Sequence, residues 1–159
     1  VGVGAGTMRD RYEQVTRDML ARYGVRVRKW RKAMSGVAWQ ITYSDGSVAR
    51  LIEAPRPRGP MSAAVFLHEI GHHAIGFGTY KPRCLEEYYA WAFALEKMRE
   101  LGLNVTPAVE RRMRLSLEYA VAKARRRGLR VIPEELEIYL AQPRPAMPRS
   151  RRRAGRRVG

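Results

Sequence analysis

A single cysteine, Cys84, stands among 159 residues. That excludes an intramolecular disulfide framework and a Cys-cluster metal site, and it fits a reducing compartment. Acidic residues are few, 15 against 31 Lys and Arg, for a formal balance of +16 with histidines neutral. No long apolar run is free of charge. The most apolar stretch, residues 61–78, carries His68, Glu69, His72 and His73 in its middle, which a membrane span of about 20 residues would bury at high cost. The glycine-rich residues 1–6 lead straight into Arg9, Asp10 and Arg11, without the basic-then-apolar order of a secretory signal. No segment repeats another. These absences point to a cytoplasmic protein without a membrane association, whose fold rests on burial, alone or with a metal.

What is present suits one folded domain. An aliphatic and aromatic content of 45% is too high for a wholly disordered chain, and the length fits a single core. Residues 143–159 hold seven arginines, three prolines and no acid. They read as a disordered Arg-rich tail, leaving +9 on a domain of residues 1–142. A second cationic cluster spans residues 110–130, where Val109, Met113, Leu117, Ala120 and Ala124 share one helical arc and cations fill the rest. A solvated exterior accounts for such a run as well as a functional surface does. The sign of the charge admits non-specific contact with nucleic acid, or attraction to an acidic protein or an anionic membrane surface, without choosing among them.

Periodicity outlines an α+β fold. Residues 9–23 have helical spacing, with Gly24 as the stop. Alternation in residues 25–28 and 39–43, and the turn Ser44-Asp45-Gly46-Ser47 leading into residues 48–54, predict about three short antiparallel strands. Pro60 opens a helix to about Ile75, and a second runs from Cys84 or Leu85 to Leu101, before Gly102. Thr106-Pro107 opens the basic helix, which ends at Gly128, and Pro133 opens a last short helix over residues 134–141. Trp39, Trp91 and Phe93 read as core, Cys84 as packing, and His73 as lying off the ligand face or at the surface.

The chemistry lies in His68-Glu69-Ile70-Gly71-His72. An H-E-x-x-H pattern sets two imidazoles one helical turn apart, able to share a zinc ion, and turns the glutamate roughly 100° from the first histidine. There Glu69 can move a proton as general base. The pattern also occurs by chance in inert surface helices. The apolar run Ala63-Ala64-Val65-Phe66-Leu67 instead places it in a buried helix, where a carboxylate and two unpaired imidazoles are costly without a metal. A catalytic zinc needs a third protein ligand. The next helix offers Glu86 and Glu87 in its first turn; Glu87 is preferred, since Ala90 and Ala94 would lie on its side and allow close helix approach, and Glu86 remains open.

These residues, with Glu87-x-x-Ala90-x-x-Phe93-Ala94, resemble the ImmA/IrrE-type metallopeptidases, small gluzincins of phages, mobile elements and bacterial regulatory operons. The resemblance covers about residues 51–101. It implies a zincin core, zinc (Zn2+) on His68, His72 and Glu87, and Glu69 as general base. Trp91 stands where the family usually has Asn, and Lys97-Met98-Arg99 where it often has an apolar-Pro ending. The expected activity is zinc-dependent hydrolysis of a protein or peptide substrate, with a DNA-bound regulator such as a repressor as the partner that the resemblance suggests. The alternative from another class is a basic nucleic-acid-binding module with a structural or degenerate zinc site.

Overall fold

The computed structural model describes residues 6–140. The expected tail, 143–159, lies outside the described residues. The chain runs α1 (Met8–Tyr23), β1 (Val25–Trp30), β2 (Val37–Thr42), β3 (Val48–Ala54), α2 (Pro60–Ile75), α3 (Arg83–Glu100), α4 (Pro107–Arg126) and a short 3-10 helix (Glu134–Tyr139). This is an α+β layout, as composition and periodicity predict.

Helix α1 starts on a reciprocal cap. The Asp10 amide donates to Thr7 Oγ1 at 3.2 Å, and the Thr7 amide donates to Asp10 Oδ2 at 3.1 Å, so two amides that the helix leaves unpaired are satisfied locally. Gly24 ends α1 with φ 62°, a conformation that costs glycine nothing. Tyr12, Val15, Thr16 and Met19 are its buried face, at the spacing of one helical stripe.

The sheet has the order β1-β3-β2, with β2 antiparallel and β1 parallel to β3. The all-antiparallel expectation is therefore corrected to a mixed sheet. The Asp45-Gly46 turn dictates only the β2–β3 hairpin: Asp45 Oδ1 accepts from the Ser47 amide at 2.8 Å, and Gly46 takes φ 86°. β3 is the strand whose Ile52 and Ala54 are wholly buried, so it occupies the centre and β1 takes its remaining edge. Residues 31–36 then carry the chain across to the far edge, which leaves β1 running with β3. Alternation along a strand encodes which face is buried, not which neighbour it pairs with. Trp39, expected in the core, lies on edge strand β2 and is only half-buried.

Helix α2 is the centre of the molecule. From Ser62 to His73 every residue is buried, as befits a helix that is apolar on all sides in its first turns. Pro60 at its start lacks the amide that would otherwise go unpaired, and Ser62 Oγ accepts from the Arg58 and Gly59 amides at 2.9 and 3.1 Å. Helix α3 lies close against it. A Cβ on Gly71 would stand 2.7 Å from the Ala90 carbonyl oxygen, so the approach of the two helices requires glycine at that point. Ala90 and Ala94 are wholly buried in this seam. Helix α4 is capped by Thr106, whose Oγ1 accepts from the Val109 amide at 3.2 Å, and it buries Val109, Leu117 and Val121. The last element is a 3-10 helix rather than an α-helix; its six residues bury only Leu136, too little apolar surface to hold a longer helix in place.

Candidate metal centre

His68 and His72, one turn apart on α2, have ring centroids 4.9 Å apart. α3 brings one carboxylate to both. Glu87 Oε2 is 3.0 Å from His68 Nε2 and Glu87 Oε1 is 3.3 Å from His72 Nε2. One ligand atom from each of His68, His72 and Glu87 lies within 4.8 Å of the other two. This cluster can hold a metal ion: two imidazoles and one carboxylate, all at least partly buried, form the donor set of an open three-ligand site.

Both imidazoles are held from behind. His68 Nδ1 is 3.2 Å from Glu69 Oε1, and His72 Nδ1 is 3.1 Å from Glu86 Oε2. A carboxylate at Nδ1 keeps the proton there and leaves the Nε2 lone pair free for a cation. Glu86, the alternative third ligand in the sequence reading, is thus turned to the outer nitrogen of His72, while its Oε1 accepts from the Gly78 amide at 2.8 Å. Trp91 stacks on the His68 ring, with centroids 4.4 Å apart and planes at 15°, and Phe77 lies parallel to His72 at 6.1 Å. The imidazoles therefore have little freedom to rotate.

Charge in the metal-free cluster is shared between histidine and carboxylate. Burial drives the His68 pKa down, but hydrogen bonds to Glu69 and Glu87 outweigh it and hold the value up at about 9. Burial pushes Glu87 up, and the hydrogen bonds from His68 and His72 overcome that and hold its carboxyl well below the usual range. A proton held between Nε2 and a carboxylate occupies the position a cation would take.

Glu69 is buried and, with His68 and Glu87, lines a cavity of about 1080 Å³. Gly36, just before β2, closes over it: a Cβ there would stand 2.7 Å from Glu69 Cγ and 2.7 Å from the Glu53 carbonyl oxygen. His73, expected off the ligand face or at the surface, is buried and donates from Nε2 to the Leu51 carbonyl oxygen at 3.0 Å, which ties α2 to β3. Cys84 is buried in the cavity wall. The sequence reading left three features unassigned: the hold of Glu86 on His72, the stacking of Trp91 on His68, and the contact of Gly36 with Glu69. A glycine just ahead of a strand was the one available signal for the last.

Among the described residues no helix is long and apolar enough to cross a membrane. Comparison of the chain with protein-family models, with curated proteins and with solved structures gave no match.

Proposed function

We propose that this chain is a zinc-dependent metallopeptidase. The observation that carries the reading is the convergence of His68, His72 and Glu87 at one point, in the wall of an accessible cavity that the buried Glu69 also lines. Two imidazoles and a carboxylate suit zinc, and Glu69 and Glu86 supply the outer hydrogen bonds that metal-bound histidines require. A bound zinc ion supplies Lewis acidity toward a peptide carbonyl and toward a water molecule.

The chain's own residues do the rest. Glu69 exchanges its contact with His68 Nδ1 for the attacking water, accepts a proton from it and returns that proton to the departing amine nitrogen. Gly36 packs so closely on the Glu69 side chain that a Cβ there would stand 2.7 Å from Glu69 Cγ, which confines the carboxylate to the cavity wall. Strand β2, an edge strand that among the described residues pairs only with β3, follows the cavity-lining Gly36 and has a free edge there along which an extended substrate segment can lie. The likeness to ImmA/IrrE-type peptidases supports the same roles and suggests a regulatory protein as substrate.

Glu69→Gln tests the reading. It should bind zinc near one ion per chain, as the parent should, and lose peptide cleavage by at least about 100-fold. Cleavage at the parent rate would remove Glu69 from the reaction and the mechanism with it.

A further inference from the structure

Resting on the peptidase reading, we propose that the cleft selects peptide segments that carry acidic side chains on either side of bulky apolar ones, and that one face of α4 makes the choice. The wall of the cavity contributed by α4 and its C-cap includes Arg112, Leu115, Ser116, Tyr119, Lys123 and Arg127. These recur every three or four residues, so they form one stripe along the helix. It runs alongside the stripe of Val109, Leu117 and Val121 that holds α4 to the core, with Ala120 and Ala124 lining the cavity between the two. α4 thus packs with one stripe and presents the neighbouring one to the site.

The presented stripe is patterned. Leu115 and Tyr119 stand in its middle, 48% and 63% exposed, with Arg112 toward one end and Lys123 and Arg127 toward the other. From Arg112 to Arg127 it covers about 22 Å at 1.5 Å per residue, the length of an extended segment of about seven residues. Arg83, at the start of α3, adds a fourth cation to the lining. Among the described residues none of these four cations has a carboxylate within 4.0 Å. By contrast Arg114, outside the stripe, reaches Glu118 at 3.9 Å. Glu69 and Glu87 are the acids that line the cavity, and both belong to the candidate metal centre. A row of unmatched cations facing a cleft favours a ligand that brings its own carboxylates.

The same cations would attract phosphates, but the rest of the wall favours a peptide. Leu115 and Tyr119 offer apolar surface for large side chains between the charges. A polynucleotide lying in the cleft would also set phosphates beside Glu69 and Glu87, where a peptide sets a neutral main chain.

The test uses the full chain carrying Glu69→Gln and loaded with zinc, so that peptides bind without being cut. Fluorescein-labelled peptides share a Leu-Phe centre and carry Glu, Gln or Lys on both sides; affinity is read by anisotropy at about 0.15 M salt. The Glu peptide should bind best. Lys123→Glu combined with Arg127→Glu should weaken it about tenfold or more, and the Gln peptide by less than about twofold. Arg125→Glu combined with Arg126→Glu makes the same change in net charge at exposed positions outside the cavity wall. It should shift the Glu peptide by less than about threefold. Equal losses in the two pairs would mean attraction to bulk charge and overturn the proposal. Displacement of the Glu peptide by a single-stranded oligonucleotide that binds more tightly, with the same dependence on Lys123 and Arg127, would give the cleft to nucleic acid and overturn it as well. With Glu69 restored, equal kcat/KM on Glu and Gln peptides would end the acidic preference and leave the peptidase reading standing. Selective binding with no cleavage of any peptide would support the selectivity and remove the peptidase reading.

Discussion

Gly71→Ala is the sharpest probe of how the candidate centre is assembled, because two opposing effects can be weighed from the structure. Alanine in place of glycine inside a helix favours folding by about 1 kcal/mol. Against that, the new methyl group would stand 2.7 Å from the Ala90 carbonyl oxygen, 3.2 Å from Ala90 Cα and 3.1 Å from Phe93 Cδ1. Two of these neighbours are backbone, so relief to an ordinary contact of 3.4 Å requires α3 to retreat by about 0.7 Å. Overpacking of this kind costs about 1–3 kcal/mol, and the net loss of stability should be modest, about 0–2 kcal/mol. The metal centre should suffer more. Glu87 lies one turn before Ala90 on the same helix, and a metal site tolerates ligand displacements of only about 0.2 Å. Zinc affinity should fall about 100-fold, measured by competition with a chromophoric chelator, while urea unfolding of the metal-free chain reports stability without the contribution of bound metal. Unchanged affinity alongside reduced stability would show that the α2–α3 seam does not set the position of Glu87, and would refute the reasoning.

Two further outcomes follow from the geometry around the histidines. Glu87→Ala should abolish stoichiometric zinc binding, whereas Glu86→Ala, which frees His72 Nδ1, should retain it with affinity lowered about 10–100-fold; the reverse order would exchange their roles. In the metal-free chain His68 holds its proton up to about pH 9, and a metal must displace that proton. Apparent zinc affinity should therefore weaken about tenfold per pH unit below 9 and level off above it. Calorimetry in buffers of different ionisation enthalpy should read about one proton released per zinc at neutral pH; release of none would refute the assignment. The same raised value makes metal-free stability from this group complete below the ordinary histidine value of 6.5 and lost as pH rises through about 9.

Local chemistry made much of this fold legible in advance. Gly24, Pro60, Gly102 and Thr106 mark helix ends because each does its work within one turn of chain. The Asp45-Gly46 hairpin is legible for the same reason, and the H-E-x-x-H spacing places both histidines without knowledge of anything else. What escaped depends on contacts distant in sequence. The parallel pairing of β1 is decided by competition for the edges of β3. Glu86 and Glu87 differ by about 100° on a helical wheel, and their roles separate only once Gly71 has let α3 dock at a particular depth. Gly36 and Glu69 are neighbours only because residues 31–36 cross the sheet. Trp39 is apolar enough for a core, and nothing in its neighbours along the chain reveals that its strand takes an edge of the sheet.

The central position of α2 has a consequence for how long the site persists. Proteins open locally wherever few buried contacts hold a segment, and loops that carry chemistry often open far more readily than the whole molecule. Here both histidines and Glu69 sit on the helix that α1, the sheet, α3 and α4 all pack against, so no small opening releases them. Their backbone amides should exchange with solvent as slowly as any in the chain, and the lifetime of the site becomes the lifetime of the native state. Flexibility needed for substrate exchange then falls to the cleft walls, which can shift without disturbing the ligands.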